Sequence, residues 1–170
     1  MTAARTRTLP LVTGPGASAA ILGASLALVA AVAFTGGRWT ETGPGSWYAG
    51  LDLAPWTPPG WLFGAAWTLL YVLMAVAAWD VARRGPRRPA VMTALGLYAA
   101  QLALNLAWTS VFFREQSPRG GMLVILALAV VLALTVAAFA RVSRPAAVLL
   151  LPYLAWVLYA ASLNGWIVLA

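Results

Sequence analysis

Gln101, Asn105, Trp108 and Phe112 recur at intervals of four, three and four, which sets two amides and two aromatic rings on one helical face. The same spacing logic places Phe63, Trp67, Tyr71 and Met74 on a second face, and Tyr153, Trp156, Ala160 and Asn164 on a third. Such stripes can do non-covalent chemistry: rings stack on a flat apolar molecule, and amides or phenols bond its polar edge. Most other chemistry is missing. The chain has no His and no Cys, which removes zinc sites, His-based triads, thiol nucleophiles, disulfides and haem held by His or Cys. No resident cofactor is expected.

The elements that carry these stripes are long apolar runs. The 170 residues are 62% hydrophobic and 9% charged, where an ordinary soluble domain is roughly 25% charged. A helix crosses a bilayer with about 20 apolar residues, and five such segments can be drawn, at about 17–36, 61–82, 90–113, 120–141 and 146–169. The expected fold is therefore all-α, a polytopic membrane bundle of five transmembrane helices over residues 17–170. Residues 1–16 read as a disordered cytoplasmic tail. The first run resembles a signal peptide, with Arg5 and Arg7 ahead of it and Ala31-Val32-Ala33 as a cleavage-like site. It is longer than the usual h-region, however, and its Ala19, Gly23 and Ala27 offer a small-residue face for helix packing. It is read as a retained helix.

All the basic residues are arginines. With five spans, Arg5, Arg7, Arg83, Arg84, Arg87, Arg88, Arg141 and Arg144 share one side, and only Arg38, Arg114 and Arg119 share the other. The positive-inside rule then puts the N-terminus in the cytoplasm and the C-terminus outside, in a bacterial cytoplasmic membrane. The arginines lie between spans and are expected to meet lipid headgroups; with no polar domain to read a groove, nucleic-acid binding is not expected. Asp80 beside Arg83 and Arg84, and Glu115 four residues before Arg119, read as interfacial ion pairs. Pro89, Pro118 and Pro145 stand at helix starts, where a missing N–H costs nothing, and Pro152 is expected to kink the fifth helix.

The first loop, about residues 37–60, is long, and it holds Trp39, Trp47, Tyr48 and Trp56 with Pro44, Pro55, Pro58 and Pro59. Proline restricts both itself and the residue before it, so this loop is stiff for its length and suited to cover a cavity. Trp39, Trp79 and Trp166 fit an interfacial aromatic belt. Gln101 and Asn105 do not fit lipid, because an amide there lacks partners. They either bond another helix or line a cavity, and their place on a face with Trp108 and Phe112 favours the cavity. The first and fourth helices, poor in polar mid-span residues apart from Thr135, read as scaffold.

Taken in order, these residues resemble the TspO/MBR family, the tryptophan-rich sensory or translocator proteins. The resemblance runs through Trp47-Tyr48, Pro55-Trp56-Thr57-Pro58-Pro59, Phe63, Trp67-Thr68-Leu69-Leu70-Tyr71, Gln101 to Trp108, and Phe112-Phe113. It closes with Leu151 to Trp156 and Leu163-Asn164-Gly165-Trp166. It implies a five-helix membrane bundle, commonly a homodimer, that binds porphyrins or other flat hydrophobic ligands in a pocket capped by the first loop. The residues implied at that pocket are Tyr48, Pro58, Trp67, Asn105, Trp108, Phe112, Trp156 and Ala160, to which the spacing adds Gln101. It also implies a sensory or tetrapyrrole-handling role. The alternatives are passive translocation of such ligands, or slow light-dependent porphyrin degradation with Trp67 and Trp156 as the reacting residues. The chain departs from the family at Ala54, where many members carry a basic residue. At Trp166-Ile167-Val168-Leu169-Ala170 it also lacks the aromatic and Arg residues of the animal sterol-recognition segment.

Overall fold

The computed structural model describes residues 9–170. Five helices make up almost all of it: α1 (Pro15–Gly37), α2 (Gly60–Ala82), α3 (Pro89–Thr109), α4 (Pro118–Val142) and α5 (Arg144–Leu169). There is no strand among the described residues. Each helix is long and apolar enough to cross a membrane, the third when its last, wider turn to Arg114 is included. The boundaries follow local chemistry. Proline stands in the first turn of α1, α3, α4 and α5, and the Ser117 and Ser143 hydroxyls accept the free N–H groups of Gly120 and Ala146. Helix α5 continues through Pro152.

Helix α4 packs between α3 and α5, α1 lies on α2, and α2 lies on α5. Small residues make this possible. Ala75, Ala77, Ala78, Ala146 and Ala147 are buried at the contacts, so backbones approach closely where lipid supplies no hydrophobic drive for association. Larger side chains, among them Ile125, Leu128, Leu132, Phe139 and Leu150, fill the centre on the α4 side. Helix α4 therefore is scaffold, as expected, with Thr135 turned back onto the Val131 carbonyl at 2.7 Å. Helix α1 buries only Val29 and Gly36, and its Ala19, Gly23 and Ala27 face is open in the single chain.

At one end of the bundle a charged knot ties four segments together. Asp80 accepts from Arg83 at 2.9 Å and from Arg84 at 2.9 Å, and the Ser143 hydroxyl donates to it from the α4–α5 turn. Arg84 also donates to the Leu9 carbonyl, while Val12 N and the Thr13 hydroxyl donate to the Arg83 carbonyl at 3.1 and 3.3 Å. Of the tail expected over residues 1–16, residues 1–8 lie outside the described residues. Residues 9–14 differ from a free tail: they are fastened across the ends of α2 and α4, where the helix ends leave carbonyls unused. Trp79 is more than a belt residue. Its indole N–H reaches the Ser18 carbonyl at 2.9 Å and locks α1 onto α2, with Arg83 4.0 Å above its ring. Both ion pairs among the described residues belong to Asp80; the expected Glu115–Arg119 pair is absent, and both residues are exposed.

Candidate ligand site

The three stripes meet at the opposite end from the charged knot. Helix α2 turns Phe63, Trp67, Tyr71 and Met74 toward the gap between α3 and α5, and each finds a partner there. Phe63 lies edge-on to Trp156 at 5.9 Å, and Trp67 lies edge-on to Tyr153 at 6.0 Å. The Tyr71 hydroxyl donates to Asn105 Oδ1 at 2.9 Å, and Met74 Sδ receives Gln101 Nε2 at 4.0 Å. Asn105 Nδ2 in turn donates to the Tyr153 hydroxyl at 3.1 Å. A single amide thus joins α2, α3 and α5. Of the two roles left open by its spacing, the bond to other helices is the one these contacts display.

Depth separates floor from wall. Gln101, Asn105 and Tyr153 are at most 1% exposed, whereas Trp67, Trp108 and Trp156 are only half-buried. These residues form one cluster, hereafter the bowl, in which buried amide and phenol groups from α3 and α5 lie among three half-buried indoles, one from each of α2, α3 and α5. Ala160, one turn beyond Trp156, is buried on the α5 side.

A second ring cluster flanks the bowl. The last turn of α3 widens into a π-helical turn at Ser110–Arg114, closed by Glu115 N donating to the Ser110 carbonyl at 2.9 Å. Phe112 is carried inward there, stacks on Trp108 at 5.6 Å, and takes the edges of Trp47 at 5.6 Å and Tyr48 at 6.3 Å from the first loop. It fits because α4 has no side chain at Gly121: a Cβ there would stand 2.9 Å from Phe112 Cδ2 and 3.0 Å from Asn164 Oδ1. Asn164 holds the same corner, donating to the Pro118 carbonyl at 2.8 Å and accepting from Trp108 Nε1 at 3.4 Å.

The loop is seated on this assembly. Tyr48 occupies a short 3-10 turn, Tyr48–Gly50, and is buried; burial, with the Tyr159 hydroxyl nearby, raises its phenol above the ordinary value. The Tyr159 hydroxyl donates to the Trp56 carbonyl at 2.8 Å, and Trp56 packs edge-on against Trp166 at 5.2 Å. Trp166, expected in the interfacial belt, is half-buried near the end of α5 and touches the first loop through Trp56. Its place on α5 is set by Trp56, which its position near the chain end did not foretell. Pro58 is half-buried just ahead of α2.

Of the nine expected site residues, Trp67, Gln101, Asn105, Trp108, Trp156 and Ala160 belong to the bowl. Tyr48 and Phe112 form its flank, and Pro58 stands on the loop above α2. The expectation missed the parts played by Tyr153, Asn164, Tyr159 and Gly121. Tyr153 and Asn164 sat on the α5 stripe and could have been weighed as partners of the buried amide. Gly121 carries no signal except its helical position.

Comparison with known proteins agrees with this architecture. Residues 25–169 match the TspO/MBR family. The tryptophan-rich protein TspO of Chlorobaculum tepidum is 44% identical over 140 residues, covering 82% of this chain and 88% of that protein. Its namesake in Archaeoglobus fulgidus is 39% identical over 141 residues, covering 83% and 90%. The translocator protein of Bos taurus is 39% identical over 133 residues, covering 77% and 78%. With five membrane-length helices and a family match across nearly all of them, the chain is an integral multi-pass membrane protein and belongs to the TspO/MBR family.

Proposed function

We propose that the bowl binds a flat hydrophobic molecule of the porphyrin or tetrapyrrole type, and that the protein senses or handles such molecules. The observation that carries this reading is the clustering of three half-buried indoles, one from each of three helices, with fully buried amide and phenol groups. Each well-placed ring contributes about 0.5–1.5 kcal/mol to stacking, and burial of macrocycle area adds roughly 25 cal/mol per Å² before association costs. Asn105 and Gln101 supply polar contacts; Gln101 Oε1 is buried without a partner and free to accept.

The test is titration of the purified protein with protoporphyrin IX, read by Trp fluorescence quenching and by the shift of the pigment's absorption band. Trp67→Phe, Trp108→Phe and Trp156→Phe each weaken binding while the helical circular dichroism is retained. Absence of saturable quenching in the wild type overturns the reading. Loss of fold together with loss of binding in all three variants would mean that the rings merely pack helices.

A second reading has its own observation. Trp67 lies 5.4 Å from Tyr71 and 6.0 Å from Tyr153, so oxidisable rings touch in series. In light, an excited bound pigment takes one electron from Trp67 or Trp156, molecular oxygen adds to the resulting pigment radical and cleaves its ring slowly, and the oxygenated product returns the electron to the indole. A new absorbing product under illumination, lost in Trp67→Phe or Trp156→Phe, supports this; an unchanged spectrum leaves binding alone.

The arginine asymmetry supports an N-terminus in the cytoplasm of a bacterial cell, with exposed Arg87, Arg141 and Arg144 at the lipid headgroups on that side. Homodimerisation is supported by small-residue faces that the single chain leaves open: Ala19, Gly23 and Ala27 on α1, and Gly96, Ala100 and Ala103 on α3.

A further inference from the structure

Behind the Phe112 wall, at the loop end of the bundle, lies a second concavity. It is a cleft of about 270 Å³ between the end of α1, the first loop and the α3–α4 turn, lined by Arg38, Trp39, Glu41, Trp47, Phe113 and Arg114. The cleft adjoins the bowl through shared rings, since Phe113 lies edge-on to Trp108 at 5.9 Å and Trp47 edge-on to Phe112 at 5.6 Å. The π-helical turn at Ser110–Arg114 sends Phe112 inward to Trp108 and leaves Phe113 and Arg114 on the cleft. The chain then reverses through Gln116, a non-glycine residue at φ 51°, whose side chain closes the cleft floor. Wide helical turns and left-handed non-glycine residues both cost stability, and both recur where a site is being shaped.

The charges in this cleft are unspent. Arg114 sits 5.6 Å from the Trp39 ring centroid and Arg38 5.9 Å from that of Phe34, so rings rather than carboxylates hold the guanidiniums in place. Neither arginine is in an ion pair among the described residues, because both ion pairs belong to Asp80 at the other end of the bundle. Two exposed guanidiniums against one carboxylate, Glu41, leave the cleft net positive. Its lining sets the rings of Trp39, Trp47 and Phe113 beside a larger polar surface from residues such as Arg38, Glu41 and Arg114, and its volume falls just below the usual range for ligand sites, roughly 300 Å³ upward.

We propose that this cleft is a separate binding site for a small planar aromatic carboxylate of two or three fused rings. The ring system lies against Trp39, Trp47 and Phe113, and the carboxylate meets Arg38 and Arg114. Guanidinium recognises carboxylate by paired, charge-assisted hydrogen bonds. Glu41 opposes the anion and sets the specificity against more highly charged acids.

The experiment is calorimetric titration of 2-naphthoate into the full-length protein in nanodiscs of zwitterionic lipid, with empty nanodiscs as the blank. One saturable site is expected, weakened by added salt, with neutral 2-naphthalenemethanol binding at least about fivefold less tightly. Arg114→Gln raises Kd about fivefold, and Glu41→Gln lowers it about threefold, as suits solvent-exposed charges. Trp67→Phe, in the bowl, leaves Kd unchanged. No saturable heat above the blank overturns the proposal, as does a Kd indifferent to both charge substitutions. Binding lost in Trp67→Phe also overturns it, since the acid would then occupy the bowl. The outcome is independent of whether protoporphyrin binds.

Discussion

Replacing Asn105 by Leu probes how the three helices are held around the bowl. Leu keeps the same branched four-atom skeleton, so the side-chain shape is retained, at somewhat greater bulk, while two hydrogen bonds go: Tyr71 OH to Oδ1 at 2.9 Å, and Nδ2 to Tyr153 OH at 3.1 Å. In a water-soluble core, orphaning a buried hydroxyl costs about 1–3 kcal/mol, so two would cost roughly 2–6 kcal/mol. In a bilayer the unfolded reference also finds partners, and measured couplings average about 0.6 kcal/mol with a maximum near 1.7. The two bonds sit differently within that range. Tyr71 is half-buried and can turn toward the bowl opening, whereas Tyr153 is 0% exposed with no second partner in reach. The expected coupling is therefore about 0.6 kcal/mol for Asn105–Tyr71 and about 1.7 kcal/mol for Asn105–Tyr153, a total loss near 2.3 kcal/mol. Double-mutant cycles of Asn105→Leu with Tyr71→Phe and with Tyr153→Phe measure both, using reversible unfolding in mixed micelles of rising SDS content. A Tyr71 coupling equal to or larger than the Tyr153 coupling would refute the reasoning, because burial would then not decide the strength of the bond.

Three other expectations follow from the same geometry. Gly121→Ala drives a methyl to 2.9 Å from Phe112 Cδ2 and 3.1 Å from its Cβ, an overpacking cost of about 1–3 kcal/mol that better helix propensity offsets only in part. Gly165→Ala, whose Cβ meets only Met122 Cε at 3.7 Å, leaves the unfolding midpoint nearly unchanged, and equal loss in both would exclude the clash as cause. Asp80→Asn leaves Arg84 buried without its carboxylate and costs about 3 kcal/mol; Arg83→Gln, at the more exposed pair, costs under about 1 kcal/mol, and a reversed order in thermal midpoints contradicts the account. Tyr159→Phe cuts the 2.8 Å tether to the Trp56 carbonyl, so amide exchange over residues 51–60 accelerates while global stability falls by no more than about 1 kcal/mol; unchanged exchange there would show that ring contacts alone hold the loop.

Composition and period by themselves determined the five spans, because a bilayer sets helix length and tolerates almost no charge within it. The spacing of aromatic and amide residues determined which faces of α2, α3 and α5 turn inward, since an amide in lipid tails has no partner. The Asp80 cluster was legible for a similar reason: Arg83 and Arg84 lie within one helical turn of it. What the sequence did not determine lies in contacts between segments far apart in the chain. Nothing local says that Ser143 completes the Asp80 knot, that residues 9–13 fasten to the end of α2, or that Trp166 meets Trp56. Nor does any period reveal that one asparagine bonds tyrosines from two other helices, or that a missing side chain at Gly121 admits Phe112 and Asn164. Helical periodicity assigns a residue to a face, but which atoms meet across the gap depends on helix crossing and axial offset. Those are set by close packing of small residues along whole interfaces, and only the tertiary structure decides them.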